Sequence, residues 1–198
     1  MKNLYKHFPI SFLAATIAIS FSACTSNQEK PTLTKEQMIE RGKYLTTIGS
    51  CNDCHTPKIM TPKGPVVDET RLLSGSPADG KLPHIDTTEI TPGKWYLASS
   101  DLTSWVGPWG VSFAANLSPD RATGSGAWTE ELFIKMLRTG KFMAADAGRP
   151  IMPPMPWEFI GKMTDEDLKS IFAYLQSLPP ISNSVPAYVP PNEIAAMK

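Results

Sequence analysis

Soft metal donors are scarce in this chain: 198 residues contain three cysteines and three histidines. A zinc site or an iron–sulfur cluster needs about four such ligands. Beyond one short cluster, the chain past its leader offers only Cys24 and His84, which argues against both. Long hydrophobic runs are missing too. Outside the first two dozen residues, no segment nears the ~20 apolar residues of a membrane span. Nor is there an excess of charge of one sign, with 19 basic and 19 acidic residues. Without residues 1–23 the balance is 17 to 19, so nothing marks a nucleic-acid binder. Internal repeats are absent. Proline, by contrast, is abundant at 19 residues, and a loop-rich body with few helices is expected. An apolar fraction of 41% and a charged fraction of 19% are those of a globular chain.

The first segment reads as an export signal. Lys2 and Lys6 give a basic start, and an apolar run extends from Phe8 to Phe21. Phe21-Ser22-Ala23-Cys24 resembles a bacterial lipoprotein cleavage box, with Phe21 where an aliphatic residue is usual. The resemblance implies that residues 1–23 are removed and that Cys24 becomes an acylated N-terminus, its several chains anchoring the protein to a bilayer. Residues 24–33 are polar and suit a flexible tether, leaving 34–198 as the folded domain.

The remaining cysteines lie in Cys51-Asn52-Asp53-Cys54-His55, the attachment pattern for c-type haem. Positions three apart share a helical face, so both thiols can reach the two vinyl groups on one porphyrin edge. His55 follows at once and can place its imidazole under the iron. A thioredoxin-like dithiol would sit near a strand–helix–strand pattern, which is not found here. One motif implies one haem. A second axial ligand has to come from far along the chain. Arg149-Pro150-Ile151-Met152-Pro153-Pro154-Met155-Pro156-Trp157 offers two Met-Pro steps, and proline stiffens both its own position and the one before it. Met155 is the leading ligand and Met152 the alternative; His84 sits in a polar loop and reads as a surface residue.

Three helices frame this motif. One starts at Thr34 with Gln37 in capping-box spacing and carries Met38, Gly42, Leu45 and Ile48 on one face. Gly42 on that face points to a close helix crossing. A second begins near Thr129, buries Leu132, Phe133, Met136 and Leu137, and ends before Gly140. The last begins at Thr164 with three acids in its first turn, Asp165, Glu166 and Asp167, carries Leu168, Ile171, Phe172, Leu175 and Leu178, and stops at Pro179-Pro180.

A helix leading into Cys-x-x-Cys-His, a loop methionine and a terminal helix together resemble class I c-type cytochromes. The likeness extends to the haem domains of dehydrogenase cytochrome subunits, through Cys54-His55-Thr56-Pro57, Leu73-Ser74-Gly75, Asn116-Leu117-Ser118-Pro119-Asp120, Pro154-Met155-Pro156-Trp157 and Met163-Thr164-Asp165-Glu166-Asp167-Leu168. The resemblance implies an all-α cytochrome c fold, three to five helices around one covalent haem, with a Pro-rich tail over 179–198. It implies Met155 as axial ligand and the Pro65 carbonyl, or less directly that of Pro57, as acceptor for the His55 Nδ1 proton. The stretch 73–113 is long for a small cytochrome and reads as an insertion covering one haem edge, its tryptophans in the core. Trp109, Asn116 and Trp128 are candidate hydrogen-bond donors to haem propionates. Two protein ligands leave the iron no open position, so the expected function is single-electron transfer between redox proteins of the cell envelope, with no catalysis of its own. The alternative is a haem enzyme such as a peroxidase with a labile distal methionine.

Overall fold

The computed structural model describes residues 32–197; the leader, Cys24 and most of the tether lie outside them. Helix α1 (Lys35–Ile48) begins with the expected capping box, Thr34 and Gln37 each bonding the other's backbone. After Gly49 and a left-handed Ser50, a single turn forms α2 (Cys51–His55). Helices α3 (Glu130–Thr139), α4 (Trp157–Ile160) and α5 (Asp165–Ser177) follow later in the chain. Thr129 and Thr164 cap α3 and α5 through their hydroxyls, and a left-handed Gly140 ends α3. No helix among the described residues is long and apolar enough to cross a membrane.

Helix α1 lies across α5, and Gly42 sets how closely. A Cβ at that position would stand 1.9 Å from the Ser170 carbonyl oxygen, so only glycine admits this approach. Around the crossing, Leu73, Phe133, Leu137, Leu168, Ile171, Tyr174 and Leu175 make the main core. Ile48 departs from its expected place and is 58% exposed. The buried line of α1 runs through Gly42 and Thr46, and Ile48 stands roughly 120° around the helix from Gly42 at 100° per residue.

The fold is not all-α. Two antiparallel sheets are present. Strands β1 (Lys58–Thr61) and β2 (Gly64–Val67) form a hairpin directly after α2. Strands β3 (Leu97–Ala98), β4 (Ser104–Gly107) and β5 (Gly110–Phe113) form a three-stranded sheet inside the expected insertion. These strands have two to four residues, too short for alternation to show, and turn residues flank them. The insertion has its own core of Ile90, Val106, Val111 and Ile194. Ile194 belongs to the C-terminal tail, which packs back as a strap: Val189 exchanges two backbone hydrogen bonds with Val111, at 2.8 and 3.0 Å. Gly110 (φ 108°) lets the strap approach, since a Cβ there would meet the Val189 carbonyl at 2.1 Å. The tryptophans of the insertion do not form its core. Trp95 is 70% exposed, and Trp105 and Trp109 are half-buried.

A candidate haem site

The site is built around His55. Its ring is buried, and Nδ1 lies 2.8 Å from the Ala115 carbonyl oxygen. A carbonyl only accepts, so Nδ1 carries the proton and Nε2 keeps its lone pair. Burial holds the imidazolium form down, and the Ala115 carbonyl opposes this only in part. The result is a neutral, oriented imidazole with its coordinating nitrogen free, and no hydrogen bond among the described residues engages Nε2. This corrects the expected acceptor: Pro65 is exposed on β2, opposite Met60, and Ala115 takes its place.

Ala115 is fixed by the residue after it. Asn116 is buried and fully used within the protein. Its Nδ2 donates to the Ile181 carbonyl at 2.8 Å and to Thr123 at 3.2 Å, and its Oδ1 accepts from the Ser118 amide and hydroxyl. A residue so engaged is a loop clasp. It has no donor left for a propionate, and its part in the site is to hold the carbonyl next to it. The Leu73-Ser74-Gly75 segment braces the other side of the motif. The Gly75 amide donates to the His55 carbonyl at 2.8 Å, and the Leu73 amide to Thr56 Oγ1 at 2.9 Å. Lys58 closes the end of α2, its ammonium donating to the carbonyls of Asp53, Thr56 and Asp101.

Cys51 and Cys54 are both half-buried and unbridged. Burial pushes the Cys51 thiol up to about 11 and the Cys54 thiol up as well. A dithiol oxidoreductase needs the opposite, a thiolate favoured near neutral pH. Cys51 packs against the main core, and so does Met155, about a hundred residues further on; Met152 is not part of that packing. Trp128 also packs there, and its indole N–H has no protein partner among the described residues. Trp109 differs from Trp128, because its N–H is spent on Ser112 Oγ at 3.2 Å. His84 is exposed.

This donor set fits an iron porphyrin. It supplies two thiols on one helical turn, a neutral imidazole with a free nitrogen, and a thioether packed on the same core. Among the described residues, no group of three or more His, Cys, Asp or Glu side chains could hold a bare metal ion. The sequence profile of cytochrome c matches residues 39–179, most of the described domain. The chain belongs to the cytochrome c family. Membership implies covalently bound haem c and a role in electron transfer.

Similar proteins include the gluconate 2-dehydrogenase cytochrome c subunit of Pantoea cypripedii, 27% identical over 165 residues. The fructose dehydrogenase cytochrome subunit of Gluconobacter japonicus is 27% identical over 173 residues. The cytochrome c subunit of the quinone alcohol dehydrogenase of Gluconobacter oxydans is 27% identical over 165 residues. These alignments take in 83%, 85% and 82% of this chain, but only 27%, 28% and 25% of the relatives. The chain thus spans about a quarter of their length.

Sequence reasoning singled out Cys51, Cys54 and His55 but not Ala115, because a backbone carbonyl leaves no mark in residue type. The one signal pointing to it was its neighbour Asn116, a residue able to fix a loop through both ends of its amide.

Proposed function

We propose that this chain is an exported, single-haem cytochrome c that passes electrons between redox proteins of the cell envelope, as the haem subunit of a dehydrogenase-type complex or on a tether of its own. The observation that carries this reading is the buried His55, with Nδ1 committed to Ala115 and Nε2 left free. When bound, the haem supplies the one-electron couple. Every other part of the task falls to the polypeptide. Cys51 and Cys54 would hold the group through thioether bonds, and His55 and Met155 would offer its iron an imidazole nitrogen and a thioether sulfur. A thioether is a soft donor that favours the reduced iron, and apolar packing disfavours the extra charge of the oxidised form. With both residues bound, the iron would have no position left for a substrate. Trp128, whose indole N–H has no protein partner among the described residues, is the candidate donor to a propionate.

The test uses ferric holoprotein matured in an exporting cell. Its far-red sulfur-to-iron charge-transfer band is expected to vanish in Met155→Ala and to survive in Met152→Ala. The colour should also stay with the polypeptide through acidified organic solvent. Loss of pigment to the solvent would overturn the covalent assignment, and a band surviving Met155→Ala would move the ligand elsewhere.

Residues 1–23 are proposed as a lipoprotein signal, with Cys24 acylated and 24–33 as tether to a domain over 34–198. The basic start, the apolar run and the small residues before Cys24 support this. Cys24→Ser is expected to release the protein from membranes into the soluble periplasmic fraction; unchanged membrane association would remove the lipid anchor.

A further inference from the structure

Two consecutive prolines lie between Met152 and Met155, and neither has an amide hydrogen to give. Across them the loop is closed by the Met155 amide, which donates to the Met152 carbonyl at a long 3.3 Å. Its flanks are secured: the Ile151 amide donates to the Gly140 carbonyl at 2.7 Å, and the Trp157 amide to the Met155 carbonyl at 2.9 Å. Between them, the Pro153 carbonyl is held from outside, by Ser112 Oγ at 2.6 Å, and no other donor reaches it among the described residues.

Ser112 comes from the insertion. It is a buried residue of β5, and its hydroxyl is directed by the groups around it. The Trp109 indole N–H donates to Ser112 Oγ at 3.2 Å. That occupies an oxygen lone pair and turns the single hydroxyl hydrogen toward Pro153; the Trp105 carbonyl is far less favourable at 3.5 Å. Trp109 in turn packs edge-on against Tyr96, with ring centroids 4.8 Å apart, and its carbonyl receives the Tyr188 hydroxyl from the strap. The preceding residue of β5, Val111, carries the Val189 bridge. Ser112 is thus mounted on a braced platform, and a chain of hydrogen bonds leads from the strap through Trp109 to the methionine loop.

We propose that Ser112 is a positioning residue for the sulfur ligand: through the Pro153 carbonyl, the insertion clamps the loop that presents Met155 and sets how easily that thioether leaves the iron. The proposal rests on the assignment of Met155 as ligand. It gives the insertion a task of its own. A ligand loop that is fastened loses little further entropy when its sulfur binds, and unfastening it shifts the equilibrium toward the dissociated form.

Imidazole is the probe, because it occupies the iron only where the sulfur has left. Ferric holoprotein is titrated with imidazole while the far-red band is followed. Ser112→Ala is expected to raise the apparent imidazole affinity about fivefold, the effect of one net hydrogen bond, while Ser112→Thr, which keeps the hydroxyl, stays near wild type. Should the alanine variant fail to accumulate, Ser112→Cys, a weaker donor of similar size, is expected to show a smaller rise. An affinity within twofold of wild type in the alanine variant, or in the cysteine variant where that replaces it, would overturn the clamp. So would a rise in the threonine variant equal to that of alanine, which would indicate disturbed packing. The parent assignment fails differently: wild type would lack the band, or Met155→Ala would keep it, and the proposal would fall with it.

Discussion

Asp167 serves two helices at once. Its carboxylate accepts the Thr164 hydroxyl at 2.7 Å, reinforcing the start of α5, and receives the Arg41 guanidinium from α1, with Nε at 2.7 Å. Burial acts to raise its pKa, but the bonds from Thr164 and Arg41 outweigh it and hold the carboxyl below its ordinary 3.8. The sign of the pH effect follows. A carboxyl whose folded pKa is depressed contributes stability that is complete above the unfolded value and is lost as pH falls through the folded one. Asp167→Asn is therefore expected to cost about 1 kcal/mol at neutral pH, where the exposed Arg41 limits the pair's worth. The cost should shrink as pH falls below 3.8 and through the depressed folded value. Denaturant midpoints measured from pH 7 to pH 2 on both proteins check this, and parallel curves would show that the carboxylate is not the source of the acid sensitivity. At the site, a single carbonyl fixes the tautomer of His55 and leaves Nε2 as the nitrogen able to coordinate.

Among the elements, the crossing of α1 on α5 depends most on one residue. Gly42→Ala would drive a Cβ into the Ser170 carbonyl at 1.9 Å and against Tyr174 Cβ at 2.7 Å. Both neighbours belong to the body of a packed helix, so the helices have to separate. Overpacking of this kind costs about 3 kcal/mol, which lowers the thermal midpoint by roughly 10 °C for a domain of this size. Calorimetry of the holoprotein reads the shift directly; a change below about two degrees would mean that the crossing is looser than the geometry implies. This crossing was legible in the sequence, because glycine weakens a helix and earns its place on an apolar face by letting a second backbone come close. The cap at Thr34 and the helix starts at Thr129 and Thr164 were legible for a similar reason, since capping is a local matter of hydroxyl and amide. The sheets were not. Strands as short as Leu97–Ala98 hold together through partners further along the chain, and glycine and proline beside them carry the signature of loops. Asn116 was singled out as a propionate donor by residue type alone, whereas its surroundings make it a clasp. Sequence could nominate groups for the chemistry, but not tell which of them were already occupied.

Across the whole molecule, two cores divide the work. The first, under α1, α3 and α5, packs against Cys51 and Met155; the second, in the insertion, includes Ile194 from the far end of the chain. Asn183 ties the two regions, its side chain bonding the Ser74 and Ser76 carbonyls and its amide bonding Thr123. Removing residues 187–198 would leave that tie in place, yet take away Ile194, the Val189 bridge and the Tyr188 bond to Trp109. Burial of one isoleucine is worth about 2 kcal/mol, and each backbone bond about 1. The second core should then open locally by about 4 kcal/mol more readily, close to a thousandfold in the opening equilibrium. Amide exchange on the truncated holoprotein is expected to show protection collapsing in β4 while α1 and α5 keep theirs. Equal losses in the helices would mean that the two cores form one cooperative unit. Selective loss carries a further consequence, because β5 also bears Ser112. Freed from its strap, that hydroxyl should hold Pro153 less firmly, and the far-red band should yield to imidazole at lower concentration, at a site that the deleted residues do not touch.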